Sequence, residues 1–137
     1  MALTHLVDTS VLTRLGRPEI RAAIQPRVER GELARAGISD LEVGYSARSA
    51  VEWDQLAAAL QLFDLIETTG EHCRRARQVQ RLLASKHQRG RKIPDLLIAA
   101  AAEAEGLIVL HYDADFDRIA AVTAQPTEWI APPGSVD

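Results

Sequence analysis

Residues 93–113 read IPDLLIAAAAEAEGLIVLHYD, and this stretch decides the fold. Pro94 stands where a helix begins, because its missing N–H and fixed φ suit a first turn, and Gly106 stands where one ends. The segment Leu96 to Ala102 between them carries no charge, so the helix is largely buried. Leu107 to Leu110 follows as a continuous apolar run, the pattern of a parallel strand covered on both faces. Helix, strand and then an acid, Asp113, set the grammar for the whole chain.

Working outward, Leu3 to Val7 reads as a first strand ending at Asp8, and Arg17 to Arg30 as a helix with Pro18 in its first turn. Leu33 to Ile38 is a second strand. Ser39 opens a helix to about Arg48, and Val51 to Phe63 is another, with Leu56, Leu60 and Phe63 at helical spacing. Leu65 to Thr68 reads as a third strand, and Glu71 to about Gln88 as a basic helix ended by Gly90. A short helix over Asp115 to Val122 and a last strand over Thr127 to Ile130 precede Pro132-Pro133-Gly134. Alternating strands and helices imply βαβ units, hence an α/β fold with a parallel sheet of four or five strands between two helical layers. No repeat or linker divides the chain, so residues 1–137 are expected to form one domain, with 130–137 as a tail.

A chain of 137 residues that is 47% hydrophobic and 26% charged has globular composition. The start carries no basic n-region or small-residue cleavage site, so no signal peptide is expected, and the longest apolar run is too short to cross a bilayer. The lone Cys73 cannot form an internal disulfide, which fits a cytoplasmic protein. Net charge is only −3, but Arg74, Arg75, Arg77, Arg81, Lys86, Arg89, Arg91 and Lys92 gather eight of the sixteen basic residues just before Asp95. Such a tract is either a solvated helix face or a surface that attracts phosphate.

In open parallel sheets, sites form beyond the carboxyl ends of the strands, near the switch in strand order. Asp8 and Asp113 each follow a strand at that edge, Glu42 lies one helical turn after another, and Asp95 opens a buried helix. Each acid has a structural alternative. Asp8 can cap a helix, Ser39-Asp40-Leu41-Glu42 matches a capping box, and Asp95 can answer a helix macrodipole. Asp113-Ala114-Asp115-Phe116-Asp117 fits neither an EF-hand, which wants Gly where Arg118 stands, nor a haloacid-dehalogenase loop, which wants Thr or Val where Asp117 stands. Collectively, the acids would repel one another unless a cation sat between them. A hard divalent ion there would suit phosphodiester hydrolysis.

Four segments in order, Leu6-Val7-Asp8-Thr9-Ser10, Ile38-Ser39-Asp40-Leu41-Glu42, Ile93-Pro94-Asp95-Leu96-Leu97-Ile98 and Val109-Leu110-His111-Tyr112-Asp113-Ala114-Asp115-Phe116-Asp117, resemble the PIN-domain nucleases. More narrowly, they resemble the VapC-type toxins of bacterial toxin–antitoxin pairs. The resemblance implies a PIN-like α/β/α sandwich with Asp8, Glu42, Asp95 and Asp113 as the catalytic acids. It implies Mg²⁺ or Mn²⁺ held by Asp8, Asp95 and Asp113 with Asp115, and support from Thr9, Ser10 and Asp117. It further implies endonucleolytic RNA cleavage that inhibits growth, a homodimer, and a cognate antitoxin forming a hetero-oligomer with the chain. For the RNA contacts the expectation falls on Arg89, Arg91 and Lys92. The competing readings are a structure-specific DNA nuclease of the flap-endonuclease type and a catalytically silent domain that binds a partner. His5, His72, His87 and His111 lack metal-ligand spacing, and six aromatics are too few for a base-stacking platform.

Overall fold

Five parallel strands, His5–Val7 (β1), Leu33–Ala36 (β2), Asp64–Ile66 (β3), Ile108–His111 (β4) and Thr127–Trp129 (β5), form one sheet in the order β3-β2-β1-β4-β5. The computed structural model describes residues 2–88 and 92–137. Among these, the helices are Thr9–Leu12 (α1), Pro18–Glu29 (α2), Gly37–Gly44 (α3), Ala50–Leu60 (α4), Gly70–Ser85 (α5), Ile93–Glu105 (α6) and Asp115–Thr123 (α7). The chain starts on the central strand, builds outward through β2 and β3, then crosses back to add β4 and β5. The strand order therefore switches at β1, between β2 and β4.

Side chains alternate across the sheet as the two-residue period requires. Leu6, Ala34, Ala36 and Val109 meet α5, α6 and α7 on one face, while Val7, Leu33 and Leu110 meet α1, α2 and α4 on the other. The small side chains of Ala99, Ala100, Ala101 and Ala102 let α6 lie close against the sheet, and all four are buried. Gly106 ends α6 in the left-handed conformation (φ 68°), where Gly avoids the Cβ penalty.

Every expected element forms, with differences at the ends, and the structure adds the short helix α1, which Asp8 caps by accepting from the Ser10 N–H. β2 stops at Ala36 because α3 begins at Gly37, two residues before Ser39. Ala36 is the N-cap and no side chain caps α3, so the capping-box alternative for Ser39 and Glu42 does not hold. α5 ends at Ser85, and Gly90, expected to close it, lies outside the described residues. Residues 130–137 fold back on the molecule. Ile130, Ala131 and Val136 pack on the second core, and the Tyr112 hydroxyl donates to the Val136 carbonyl at 2.8 Å.

Arg35 is a charged residue inside the sheet, only 5% exposed. Its Nε and Nη2 grip Asp40 at 2.7 and 3.2 Å, and Nη1 donates to the Leu60 carbonyl at 3.0 Å and to the Phe63 carbonyl. One guanidinium thus ties α3 to the end of α4, satisfying its last carbonyl and that of Phe63 in the turn beyond. Arg35→Ala leaves two carbonyls without their donor and a partly exposed carboxylate without its ion pair, so it is expected to cost about 1–3 kcal/mol of unfolding free energy in urea melts. A loss below about 1 kcal/mol would contradict this role.

Candidate active site

The carboxyl ends of β1 and β4 lie side by side, with the Asp8 N–H donating to the Leu110 carbonyl at 2.8 Å. Asp8 leaves β1 directly and Asp113 leaves β4 two residues after its end. α6 packs on both strands and presents Asp95 from its first turn, and α3 touches both α1 and α6 and brings Glu42 across the edge. All four acids line one open cavity of about 480 Å³, together with Thr9, Ser10, Thr13, Arg14, Lys92, Tyr112 and Ala114.

Burial sets the electrostatics. Asp8 is 2% exposed and Asp95 5%. Desolvation, opposed by hydrogen bonding to Ser10 and aided by the charge of Glu42, pushes Asp8 up to about 6. Desolvation, joined by the charges of Asp8 and Asp113, pushes Asp95 up to about 8. Burial also raises Asp113, but the Asp115 N–H (2.9 Å to Oδ1) and the Lys92 ammonium (3.1 Å to Oδ2) outweigh it and hold that carboxyl below its usual range. The bond to Asp113 raises Lys92 in turn.

Hydroxyls fix the remaining acid. Thr9 donates to Glu42 Oε1 at 2.6 Å. With its single proton committed there, Thr9 accepts from Ser39 Oγ at 2.8 Å, completing a chain from α3 through α1 and back to α3. The Ser10 N–H donates to Asp8 Oδ2 at 2.9 Å, and Ser10 Oγ accepts from the Tyr112 N–H at 2.8 Å, locking the two strand exits together. Arg14 is held over the Tyr112 ring, 5.0 Å from its centroid, and donates to the Ser10 carbonyl at 2.6 Å. His111 Nδ1 accepts from the Asp113 N–H at 3.2 Å, and burial depresses its basicity, so the ring serves as a neutral support.

Two observations test whether a cation fits. Among the described residues, Asp8 Oδ1 and Asp95 Oδ2 are buried without a hydrogen-bond partner, which is costly unless another ligand meets them. Carboxylate oxygens of Asp95, Asp113 and Asp115 also lie within 4.8 Å of one another. An all-oxygen, carboxylate-rich set is that of a hard divalent cation. The residues fit.

The expected residues are not all brought together. Asp8, Thr9, Ser10, Glu42, Lys92, Asp95 and Asp113 share the cavity, and Asp115 joins Asp95 and Asp113. Asp117 lies one helical step away and is exposed, its carboxylate accepting from Trp129 Nε1 at 3.2 Å. Arg89 and Arg91 lie outside the described residues. Arg14 and Tyr112 went unnoticed in the sequence. Arg14 follows a four-residue helix too short to show periodicity, and Tyr112 next to Asp113 was the only available hint.

The PIN domain family model matches residues 5–122. The chain is 64% identical to Ribonuclease VapC51 of Mycobacterium tuberculosis (strain ATCC 25618 / H37Rv), covering the full length of both. In fold it is similar to VapBC2 from Rickettsia felis bound to a promoter DNA fragment, at 17% identity and TM-score 0.77, covering 94% of this chain and 98% of that one. It is also similar to VapBC-5 from Mycobacterium tuberculosis, a member of the VapBC family of toxin–antitoxin systems, at 24% identity and TM-score 0.64, covering 93% and 96%.

The raised acids have a measurable consequence. Groups with folded pKa values near 6 and 8 against an ordinary 3.8 add stability below the ordinary value, and that stability is lost as pH rises through the folded values. With divalent cations chelated, the melting temperature is expected to fall from about pH 5 to about pH 9, and Asp95→Asn should flatten much of that fall. A melting temperature constant across this range would contradict the burial argument.

Proposed function

The chain belongs to the PIN-domain family, among its VapC ribonucleases, and from that premise we propose that Asp8, Glu42, Asp95 and Asp113 form the active site of a Mg²⁺- or Mn²⁺-dependent endoribonuclease. The observation that carries this reading is the pair of unpartnered buried oxygens, Asp8 Oδ1 and Asp95 Oδ2, in a cavity shared with two further acids. Asp8, Asp95 and Asp113, with Asp115 beside them, would hold the cation. When bound, it supplies Lewis-acid polarisation of the phosphate and a water acidic enough to give hydroxide near neutral pH.

The chain's own residues do the rest. Asp8 and Asp95, whose protonated forms burial favours, would give up protons on becoming ligands. Thr9 and Ser39 keep Glu42 turned into the cavity through a fixed hydroxyl chain. Lys92, bonded to Asp113 at 3.1 Å, and Arg14, which lines the same cavity, would bring positive charge to an RNA phosphate entering an otherwise anionic pocket.

The toxin reading adds a partner. A cognate antitoxin would cover exposed apolar side chains of α3, α4 and the turn after α4, where Leu41, Tyr45, Val51 and Leu62 are each more than half exposed. It would set an Arg or Lys against the acids, since an arginine fork binds carboxylates bidentately. Homodimerisation and a toxin–antitoxin hetero-oligomer belong to the same proposal, as does action on cytoplasmic RNA that arrests growth. Among the described residues no helix is long and apolar enough to cross a membrane.

Purified chain is expected to cleave RNA with Mg²⁺ or Mn²⁺ and to stop in EDTA. Asp8→Asn, Asp95→Asn and Asp113→Asn should fold and lose most activity, and Glu42→Gln should lose it as well. Thr9→Val, which leaves every acid in place but frees Glu42, should lower the rate by about 10–100-fold. Full activity in EDTA or in Asp95→Asn would refute the assignment.

A further inference from the structure

Between Glu71 and Asp95 the sequence holds no acid, and the structure sorts the basic residues of this tract into committed and uncommitted ones. Arg75 is committed: its Nε and Nη2 bind the carboxylate of Glu103 at 2.7 and 3.3 Å. Lys92 is committed to Asp113. Arg74, Arg77 and Arg81 are exposed and form no hydrogen bond or ion pair with any described residue, and they line an open surface groove of about 650 Å³ with Gln78, Gln80 and Ala84.

Their placement on α5 is set by helical geometry. Ala76, Val79 and Leu83 point into the core, and at 3.6 residues per turn Arg74, Arg77 and Arg81 fall on the opposite side. α5 is held firmly beneath them. Thr69 and His72 close a capping box at its start, with both bonds at 3.2 Å. The bond from Arg75, early in α5, to Glu103, late in α6, pins α5 to the helix that carries Asp95. The three arginines form a ridge about 10 Å long on the outer face of α5.

Long side chains of one sign, unpaired and aligned on a rigid helix, are held apart from one another only by solvent. A single-stranded polyanion is the occupant whose repeating charge matches them, and α5 packs on α6, the helix that presents Asp95 to the cavity where such a strand would be cut. Resting on the ribonuclease reading above, we propose that Arg74, Arg77 and Arg81 bind the phosphates of single-stranded RNA flanking the cleavage point. RNA is thus gripped along the outer face of α5, at a distance from the acids. Because the contacts are to phosphate, the ridge adds affinity for any sequence and leaves base selection to the cavity.

The test measures binding and cleavage separately. Binding of a fluorescent single-stranded RNA of about 20 nucleotides is followed in EDTA, across salt concentrations, for the wild-type chain, R74Q/R77Q/R81Q and R74K/R77K/R81K. Loss of three single-strand phosphate contacts is expected to lower the log–log salt slope by about 2 in the glutamine variant, so its affinity drop between about 50 and 200 mM salt shrinks roughly 20-fold relative to wild type. The lysine variant, which keeps the charge, should retain the slope. In cleavage with Mn²⁺, the glutamine variant should show a raised KM for the long RNA, and the defect should shrink as the substrate is shortened to a few nucleotides. Thermal melts confirm that the exposed substitutions leave the fold intact. An unchanged salt slope in the glutamine variant overturns the ridge even when the wild type cleaves RNA normally. The same holds if that variant loses only affinity for the antitoxin, which would make the ridge a protein-docking face. A wild type that binds RNA with the full slope but never cleaves it removes the ribonuclease reading and leaves the ridge standing.

Discussion

Four carboxylates forced to one edge of a sheet repel one another, and burial makes that repulsion strong because little water remains to screen it. Two of them are nearly inaccessible and carry an oxygen with no partner among the described residues. Desolvation first, and the charges of neighbouring acids second, favour the protonated forms of Asp8 and Asp95 and shift both upward. In the proposed function a doubly charged cation takes the place of those protons and relieves the arrangement.

The rest of the structure keeps the acids from escaping it. β1 and β4 deliver Asp8 and Asp113 at fixed register, and the alanine-rich face of α6 sets Asp95 close above them. Glu42 stands on a helix that no side chain caps, so its position depends on the Thr9 and Ser39 hydroxyls and on Arg35, which anchors α3 through Asp40. Ser10 joins the exits of both central strands. Lys92, bonded to Asp113, and Arg14, stacked on Tyr112, bring positive charge to the lining of the acidic cavity.

Much of this was legible in the sequence because it rests on local rules. The Pro94 to Gly106 helix and the apolar strand after it are bounded by residues with fixed conformational preferences, and the alternation of elements imposes a parallel sheet. Asp8, Asp95 and Asp113 follow from where strands end and helices begin. What stayed hidden depends on tertiary contact. Glu42 fitted a capping box equally well, and only the start of α3 at Gly37 separates the readings. Arg35 resembles an ordinary surface residue until its buried partners are known. Asp117 shares its neighbours' spacing, yet faces Trp129, which is brought in by the last strand. The basic tract was visible as composition, but which arginines were already paired could not be read without Glu103 and Asp113 in place.

The central claim is that a cation replaces protons at Asp95 and Asp8, and the number of protons released on metal binding measures it directly. Calorimetric titration of the chain with Mn²⁺ at about pH 7, in buffers of different ionisation enthalpy, should give release of about one proton per chain, because a carboxyl near 8 is still protonated there and a ligand must lose its proton. The release should fall away as pH rises past about 9, and Asp95→Asn should lose it. A binding heat independent of the buffer at pH 7, or an undiminished proton release in Asp95→Asn, would contradict the account.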